Sequence, residues 1–286
     1  MNEVLNNLIS KTAANTRSFV KETYIKDGLE HCVKCKAPVQ TKIMHPFTNK
    51  EVVVNCICQC EVERLKQEEE DARNREKQRR IEQLQKSSLL GDRYRNVNFD
   101  NTEIGTNKMF DEAFKRCKNY CNVASKVLES GYGIYIYGDK GCGKTHLTAC
   151  MVNELIKQGR PVMFTNFFEI SQIIRNTFNK SNESEIDMID KISNIDFLFI
   201  DDLGTEKVSN NGEDNWLQGK IFEILNKRYN NKKPTIFTSN YSLQELISNR
   251  GIMDKTVDRI LEMSSLILKI EGKSYRMKTR DKEIPF

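Results

Sequence analysis

The chain has 286 residues, of which 38% are hydrophobic and 30% are charged, and its formal net charge is +5 at pH 7. This length suits one large domain with a smaller one, and the mild positive charge permits nucleic-acid binding without the excess of a dedicated DNA-binding domain. No apolar run reaches the roughly eighteen residues of a membrane span, and residues 1–17 lack the apolar core of a signal peptide. We therefore expect a cytoplasmic protein that contacts no membrane.

The first 60 residues are predicted to form a small N-terminal domain. Weak helical periodicity over residues 1–30 places Val4, Leu5, Leu8 and Ile9 on one face. Pro46 and Asn49 favour a turn, and residues 51–55 form a short apolar run typical of a strand. With so few apolar residues, this segment needs a further source of stability.

Cysteines could supply the additional stability. Five of the nine cysteines lie between residues 32 and 60. In a cytosolic chain such clustering favours a metal over disulfides. Two groups joined by a hairpin can form a tetrahedral zinc site, and four of these five residues would be the ligands: Cys32, Cys35, Cys56, Cys58 and Cys60. Our first choice pairs Cys32 and Cys35 with Cys58 and Cys60, and Cys56 is a close alternative.

Other interpretations of this region stay open. His45 is a sixth candidate ligand, although a turn residue is the simpler interpretation, and His31 is most simply a solvated neighbour. The cysteines could also be free thiols in a disordered arm. Zinc is favoured because it can contribute on the order of 10–16 kcal/mol of folding free energy to a segment with almost no core.

Residues 61–90 are predicted to form a charged linker helix. They hold eight acidic and eight basic residues and neither glycine nor proline. Glu69–Arg73 and Glu76–Arg80 fall at the i,i+4 spacing that supports a helix. Apolar positions are too sparse for a core face, so we expect a solvated helix; a coiled-coil surface is the alternative.

Residues 91–286 alternate short apolar runs with amphipathic segments. This alternation predicts an α/β domain with a parallel sheet covered by helices on both faces. Strands are expected at residues 133–137, 162–165, 197–200, 235–238 and 266–269. Helices are expected near residues 107–129, 145–158, 167–179, 214–230, 242–248 and 254–262.

A phosphate-binding loop lies between the first of these strands and the next helix. The segment GDKGCGKT, residues 138–145, fits the pattern G-x-x-x-x-G-K-[ST] in the strand-to-helix context that the pattern requires. Its glycines let backbone N–H groups surround phosphate oxygens at a helix N-terminus. Lys144 would reach the β- and γ-phosphates of ATP, and the Thr145 hydroxyl would ligate Mg²⁺.

The remaining residues of the loop are assigned to the same ATP site. The candidate cofactor-binding residues are Gly138, Asp139, Lys140, Gly141, Cys142, Gly143, Lys144, Thr145 and His146. Within this set Cys142 is interpreted as a small filler and His146 as a structural helix residue. A glycine-rich turn before a structural helix is the alternative to a nucleotide site.

Polar residues at the ends of two later strands complete the predicted site. Asp201 and Asp202 follow four apolar residues, so both should lie at the carboxyl end of the sheet, where ligands of α/β proteins bind. Asp201 would hold Mg²⁺ and Asp202 would polarise the attacking water; a strand-to-helix cap is the alternative. Asn240 ends the strand PTIFTSN and could position that water, although an asparagine after a strand is often only a turn former.

In this order the motifs resemble the AAA+ ATPases of the DnaC/DnaI helicase-loader family, over roughly residues 90–280. The resemblance rests on the segments RYRNVNFDN, FIDDLGTEK, NKRYNNKKPTIFTSN and DRILEM followed by SYR. IstB-like ATPases of transposition share most of this domain. The resemblance implies a zinc-bearing N-terminal domain (1–60) that contacts the replicative helicase, a linker (61–90) and an AAA+ domain (91–286).

The resemblance also implies roles for three residues. Asn240 corresponds to sensor 1, Arg259 to an arginine finger that acts on ATP in the adjacent subunit, and Arg276 to sensor 2. An arginine supplied in trans makes self-association part of the mechanism. Arg259 as an ordinary surface residue is the alternative.

Contacts with adenine and with DNA are less specifically indicated. Tyr94 or Phe99 could contact adenine, or their segment could simply pack on the core. Single-stranded DNA could meet loops at 167–180 and 207–211, with Phe167 or Phe168 stacking on bases and Arg175 or Lys180 contacting phosphate.

Three functions fit the sequence. The first is an ATP-dependent loader that places the hexameric replicative helicase on single-stranded DNA. The second is an IstB-like ATPase that recruits a transposase. The third is a zinc-dependent adaptor whose ATPase acts as a nucleotide switch.

Overall fold

The computed structural model describes residues 22–177, 184–205, 212–272 and 274. The chain divides into two compact units, Met1–Glu76 and Lys77–Phe286. The helical face predicted at Val4, Leu5, Leu8 and Ile9 lies outside the described residues. In the part of the chain that is described, no helix has both the length and the apolar character needed to cross a membrane.

Two antiparallel hairpins come before the first helix in the described part of the first unit. The strands are β1 (Thr23–Lys26), β2 (Leu29–Cys32), β3 (Gln40–Met44) and β4 (Glu51–Asn55). β1 pairs with β2 and β3 pairs with β4. β4 and the turn before it, where Asn49 has a φ of 55°, are as predicted. β1, β2 and β3 are not predicted, and the helical periodicity predicted over residues 1–30 is wrong from Thr23 onward; the Asp27-Gly28 turn, with φ of 54° and 75°, is the hairpin signal that distinguishes the two.

Helix α1 (Gln59–Ser87) has 29 residues and no buried residue, but Ile81 and Leu84 near its end are partly buried against the apolar core of the second unit. Arg64 pairs with Glu61 and with Glu68. Neither predicted pair, Glu69–Arg73 or Glu76–Arg80, forms in this helix, all of which is described. The charges are instead segregated along α1: residues 61–71 carry six acidic and two basic side chains, and residues 72–87 carry six basic and two acidic ones.

Five parallel strands form the sheet of the second unit, in the order β6-β7-β8-β5-β9. Their bounds are β5 Gly133–Gly138, β6 Val162–Thr165, β7 Phe197–Leu203, β8 Thr235–Ser239 and β9 Ser264–Ile270. The five predicted strands and the predicted parallel sheet are confirmed. Because β8 lies between β7 and β5, the carboxyl ends of these three strands meet at one edge.

Eight helices are described in this unit beyond α1. They are α2 Lys108–Asn122, α3 Ala124–Ser130, α4 Lys144–Lys157, α5 Phe167–Thr177, α6 Glu185–Asn194, α7 Gly212–Asn230, α8 Leu243–Arg250 and α9 Asp254–Met263. The single helix predicted at 107–129 is wrong, because the chain breaks at Val123 (φ −106°, ψ 25°). α6 is not predicted, although a capping box at Ser184 and Asp187 marks its start.

Alternation along β5 separates two apolar clusters on opposite faces of the sheet. Ile134 and Ile136 pack in a cluster with residues of α2 and α4. Tyr135 packs in the other, with residues of α5, α7 and α9. Successive side chains of a strand point to opposite faces, so the helices cover the sheet on both sides.

Candidate active site and cysteine cluster

The loop between β5 and α4 requires glycine at positions 138, 141 and 143. All three have positive φ, at 136°, 78° and 96°. A Cβ on Gly138 would lie 2.0 Å from the Ile270 carbonyl oxygen, and one on Gly143 would lie 2.8 Å from the Phe110 ring. Side chains are therefore excluded by conformation and by space, which leaves the backbone amides of the loop accessible.

Lys144 links this loop to the end of β8. Its side chain is almost fully buried, with 6% exposure. Nζ donates to the carbonyl oxygens of Gly138 at 2.9 Å and Asp139 at 2.8 Å, and to Asn240 Oδ1 at 2.8 Å. The structure thus brings two residues that are 96 positions apart to the edge of the sheet where β5 and β8 end.

Asp201 lies on the other side of Thr145. The Thr145 hydroxyl donates to the two carboxylate oxygens of Asp201 at 3.2 and 3.1 Å, and the Thr238 hydroxyl donates to Oδ1 at 2.5 Å. Burial raises the pKa of Asp201, against the lowering effect of the hydrogen bond from Thr238. A hydroxyl and a carboxylate this close are oxygen donors of the kind that Mg²⁺ takes, so the residues present fit that ion.

Asp202 differs from its neighbour in conformation and exposure. β7 does not end at Ile200, as predicted, but continues to Leu203 with an irregular register at this point. Asp202 has a φ of 57°, and its exposed carboxylate accepts a hydrogen bond from Asn240 Nδ2 at 3.2 Å. The two aspartates therefore do not share one environment.

The other loop residues have varied contacts. Asp139 Oδ2 accepts from the Gly272 amide at 3.0 Å, which ties the loop to the segment after β9. Lys140 is exposed. Cys142 is buried, and burial raises the pKa of its thiol. His146 points away from the loop, and its Nε2 shares a hydrogen bond with Thr102 Oγ1 at 2.9 Å.

Among the described residues, Arg259 has no hydrogen bond to the members of this group. Arg259 pairs with Glu262 and lies over the Tyr229 ring, 4.1 Å from its centroid. Its Nε is buried without a hydrogen-bond partner among the described residues. Arg276 lies outside the described residues.

The segment leading into the domain packs on the core. Phe99 is buried edge-on against Phe114, with ring centroids 5.2 Å apart. Asn153 Nδ2 donates to the backbone carbonyls of Tyr94 at 2.8 Å and Val97 at 2.6 Å. These contacts favour the packing role for this segment over contact with adenine.

Four cysteines of the first unit form a compact cluster. The Sγ atoms of Cys32, Cys35, Cys58 and Cys60 all lie within 4.8 Å of one another. Cys32–Cys60 and Cys58–Cys60 separations are 3.5 and 3.3 Å. Tetrahedral zinc with Zn–S bonds near 2.3 Å requires sulfur atoms about 3.8 Å apart, so this cluster fits such an ion.

The other candidate ligands of this region point elsewhere. Cys56 donates to the Pro38 carbonyl oxygen at 3.3 Å. His45 Nδ1 accepts from the Phe47 amide at 3.3 Å inside the turn, and His31 Nδ1 lies 3.2 Å from the Leu29 carbonyl oxygen. The helix that begins at Gln59 explains the selection, because Cys60 lies in its first turn beside Cys58, whereas Cys56 directly follows β4 and its amide donates to the Val39 carbonyl oxygen at 2.8 Å.

Sequence reasoning missed two residues that hold the site. Thr238 donates to Asp201 and accepts from the Asp202 amide at 2.9 Å. Arg228, on α7, is fully buried and donates to Thr235 Oγ1 and to five backbone carbonyls. One sequence signal could have indicated this role for Arg228. It lies near the end of a helix that is followed within a few residues by the strand segment PTIFTS, so its side chain is close to the start of β8.

Comparisons with known proteins agree with this geometry. The family model described as "IstB-like ATP binding protein" matches residues 58–283. The Replicative helicase loader DnaC of Escherichia coli K12 is 28% identical over 184 residues, which cover 62% of this chain and 72% of that protein.

Solved structures are also similar to this chain. A crystal structure of the DnaC helicase loader is 27% identical, with a TM-score of 0.52, and the match covers 63% of this chain and 99% of that one. A crystal structure of DnaI, at 21% identity and a TM-score of 0.51 over 65% of this chain and 94% of that one, shares the fold. The predicted AAA+ fold is thereby confirmed, and the chain belongs to the family of IstB-like ATP-binding proteins.

Proposed function

We propose that this protein is an ATP-dependent loader of the replicative helicase onto single-stranded DNA. The observation that carries the proposal is the likeness to DnaC over 62% of the chain, together with the family match over residues 58–283, which contain the ATP site. The curated relative and one solved structure named above are described as DnaC helicase loaders, so a transposition ATPase and a nucleotide-switch adaptor are not favoured.

The protein is an ATPase, and its own residues suggest how the phosphates are handled. Backbone amides of the glycine loop and the N-terminus of α4 surround the phosphate site. Lys144, desolvated and already held by three oxygen acceptors, would exchange carbonyl oxygens for phosphate oxygens. Phosphoryl transfer depends mainly on such positioning and charge stabilisation.

Asp202 and Asn240 would position the attacking water. The amide of Asn240 contacts both Lys144 and Asp202, so a single side chain fixes the cation and the carboxylate relative to each other. Asp202 is exposed and can accept a proton or polarise water at the edge of the sheet. Thr145 and Asp201 would hold Mg²⁺, which supplies positive charge to the phosphates when bound.

Assembly would complete the site. Arg259 has no contact with Lys144, Asp201 or Asn240 among the described residues, which fits a role on the ATP of an adjacent subunit. Its guanidinium is held by Glu262 and Tyr229, so it would have to leave these partners or carry them into the interface. Arg276 would act as sensor 2 on the ATP of its own subunit.

The N-terminal unit would contact the helicase. Cys32, Cys35, Cys58 and Cys60 would hold Zn²⁺, and the metal would stabilise two hairpins whose buried apolar cluster, within the described residues, consists of Cys32, Cys58 and Val39. A rigid module of this kind, followed by the solvated helix α1, suits attachment to a partner protein.

Single-stranded DNA would contact loops near α5. Phe168 is exposed, whereas Phe167 packs on the core, and the Arg175 guanidinium lies 5.9 Å from the Trp216 ring centroid. Phe168 is therefore the better candidate for base stacking. Lys180 and residues 207–211 lie outside the described residues.

A helicase-loading assay tests the proposal. The protein, ATP and a replicative helicase would be mixed with closed circular single-stranded DNA, and helicase retained on the DNA would be measured after gel filtration. We expect the wild type to raise the retained fraction and Lys144→Ala to lose this effect, with Lys115→Ala, an exposed change on α2, as the control. A wild type that hydrolyses ATP but neither binds the helicase nor alters its retention would refute the loader function.

A further inference from the structure

A cleft lies at the opposite end of α4 from the phosphate loop. Its volume is about 320 Å³, and its walls are the second half of α1 and the segment that follows α4. The lining residues are Lys77, Arg80, Ile81, Lys157, Gln158, Gly159 and Arg160. The 14 residues of α4 span roughly 20 Å, so this cationic cleft is a separate feature from the ATP site.

Four of the seven lining residues are cations, and none is an acid. Among the described residues, Lys77, Arg80, Lys157 and Arg160 form no ion pair. Arg80 donates to the Gly159 carbonyl at 3.5 Å and Arg160 to Ser125 Oγ at 2.6 Å, and both acceptors are neutral. The four cations of the cleft are therefore not neutralised by ion pairs in the described part of the chain, and the nearby Glu154 carboxylate is hydrogen-bonded to Gln158.

Folding alone does not account for this arrangement. A helix C-terminus stabilises one nearby cation by its dipole, which explains Lys157 at the end of α4. It does not explain Lys77 and Arg80, which come from a different helix. Like charges gathered around one cavity repel each other, so the cluster lowers stability unless an anion occupies it.

We propose that the cationic cleft binds the phosphodiester backbone of a nucleic acid. The charge is a row and not a point, because Lys77 and Arg80 are exposed one turn apart on α1, and Lys157 and Arg160 continue the positive charge on the other wall. A polyanion with regularly repeated charges matches such a row. The lining has no aromatic side chain, so bases are not stacked there and binding is independent of sequence.

The proposal does not rest on helicase loading, since it concerns a surface remote from the ATP site. Its main competitor is an acidic protein segment. The chain itself contains one, because residues 61–71 of α1 carry six acidic side chains. A second copy of this chain could place that segment in the cleft, and the experiment is designed to separate the two ligands.

Two variants test the cleft from its two walls. Lys77→Gln with Arg80→Gln alters α1, and Lys157→Gln with Arg160→Gln alters the other wall. The control is Lys115→Gln with Lys232→Gln, which removes the same charge from two exposed lysines outside the lining. Binding of fluorescein-labelled oligodeoxythymidine to the full chain would be measured by anisotropy as a function of salt, with thermal unfolding as a folding check.

Each phosphate contact on a single strand contributes about 0.7 to the slope of log affinity against log salt. Losing two contacts should lower that slope by about 1.4 and weaken binding by roughly 25-fold at 0.1 M salt. We expect both cleft variants to behave this way, the control to keep the wild-type slope to within about 0.7, and all to bind a fluorescent ATP analogue normally. The first variant changes only exposed side chains, so its result stands even if the second is less stable.

Two outcomes would overturn the proposal. One is wild-type DNA affinity and slope in the folded Lys77→Gln, Arg80→Gln variant. The other is a loss of self-association by sedimentation in the cleft variants with DNA binding retained, which would assign the cleft to the acidic half of α1 in a second copy.

Discussion

Arg228 gives the sharpest test of how the fold supports the site. Its guanidinium is fully buried and donates to the carbonyls of Ile192, Ser193, Ile195 and Pro234 at 3.2, 3.1, 2.8 and 2.5 Å. These carbonyls lie just before β7 and β8. One side chain therefore fixes the starts of the two strands whose other ends carry the acidic residues and Asn240.

Replacing Arg228 with Met should remove every one of these hydrogen bonds while keeping most of the volume. Each buried acceptor left without a partner costs about 1–3 kcal/mol, but some carbonyls will recover a bond to water. Burial also lowers the pKa of Arg228 to about 9, because the charge is desolvated. Removing that buried charge therefore offsets part of the destabilisation caused by the lost hydrogen bonds. We expect the free energy of unfolding to fall by about 3–5 kcal/mol.

Thermal unfolding followed by circular dichroism would measure this effect. For a unit of this size the loss corresponds to a melting temperature lower by roughly 6–20 °C. Arg228→Lys keeps the charge with fewer donors and should lose about half as much. Arg79→Met, on the exposed face of α1, should stay within about 0.5 kcal/mol of wild type.

The reasoning would be refuted if Arg228→Met unfolded within about 1 kcal/mol of wild type. A second result would also contradict it: a destabilised Arg228→Met that binds a fluorescent ATP analogue as tightly as the wild type does, at a temperature where the variant begins to unfold locally. Loss of affinity before global unfolding is the expected pattern, because β7 and β8 carry the metal and water-positioning residues.

Three further predictions concern the site, the metal and assembly. Thr238→Val removes a hydrogen bond that lowers the pKa of Asp201, so that pKa should rise. Because the carboxylate must be ionised to bind Mg²⁺, Mg²⁺-dependent nucleotide binding should be lost at a higher pH in the variant than in the wild type as the pH is lowered. An unchanged pH profile of nucleotide binding would contradict this. Cys58→Ser should lower the zinc content of the purified protein, measured by atomic absorption, whereas Cys56→Ser should keep one equivalent; equal loss in both would exclude the assigned ligand set. Arg259→Ala should lower ATP turnover by about 10³-fold or more without weakening nucleotide binding, and mixing it with a phosphate-loop variant that keeps Arg259 should restore turnover; no recovery on mixing would argue against action in trans.

Local patterns predicted much of this molecule because their physical causes are local. The glycine loop is specified by three positions that only glycine can occupy, and β5 by an apolar run that ends there. Each of the five sheet strands contains a run of two to four consecutive apolar residues, and such runs have little alternative to burial. The order of the motifs then sufficed to indicate the family.

Other features depended on residues far apart in sequence. The irregular register at the end of β7 turns Asp202 into a positive φ and away from Asp201, and the pairing of β7 with β8 sets that register. The break before α3 and the start of α6 were not predicted, because the ends of helices are less clearly marked in a sequence than their interiors. The hairpin of β1 and β2 was missed although its Asp-Gly turn was present.

The amino-acid sequence by itself determined the phosphate loop, the parallel α/β architecture and the presence of a thiol cluster, because each follows from residue types at short, fixed spacing. Only the tertiary structure decided which four of five cysteines converge, that Lys144 and Asn240 meet across 96 positions, and that four cations surround one cleft. Those outcomes depend on which strands pair and how helices pack, and spacing along the chain does not specify distances through space.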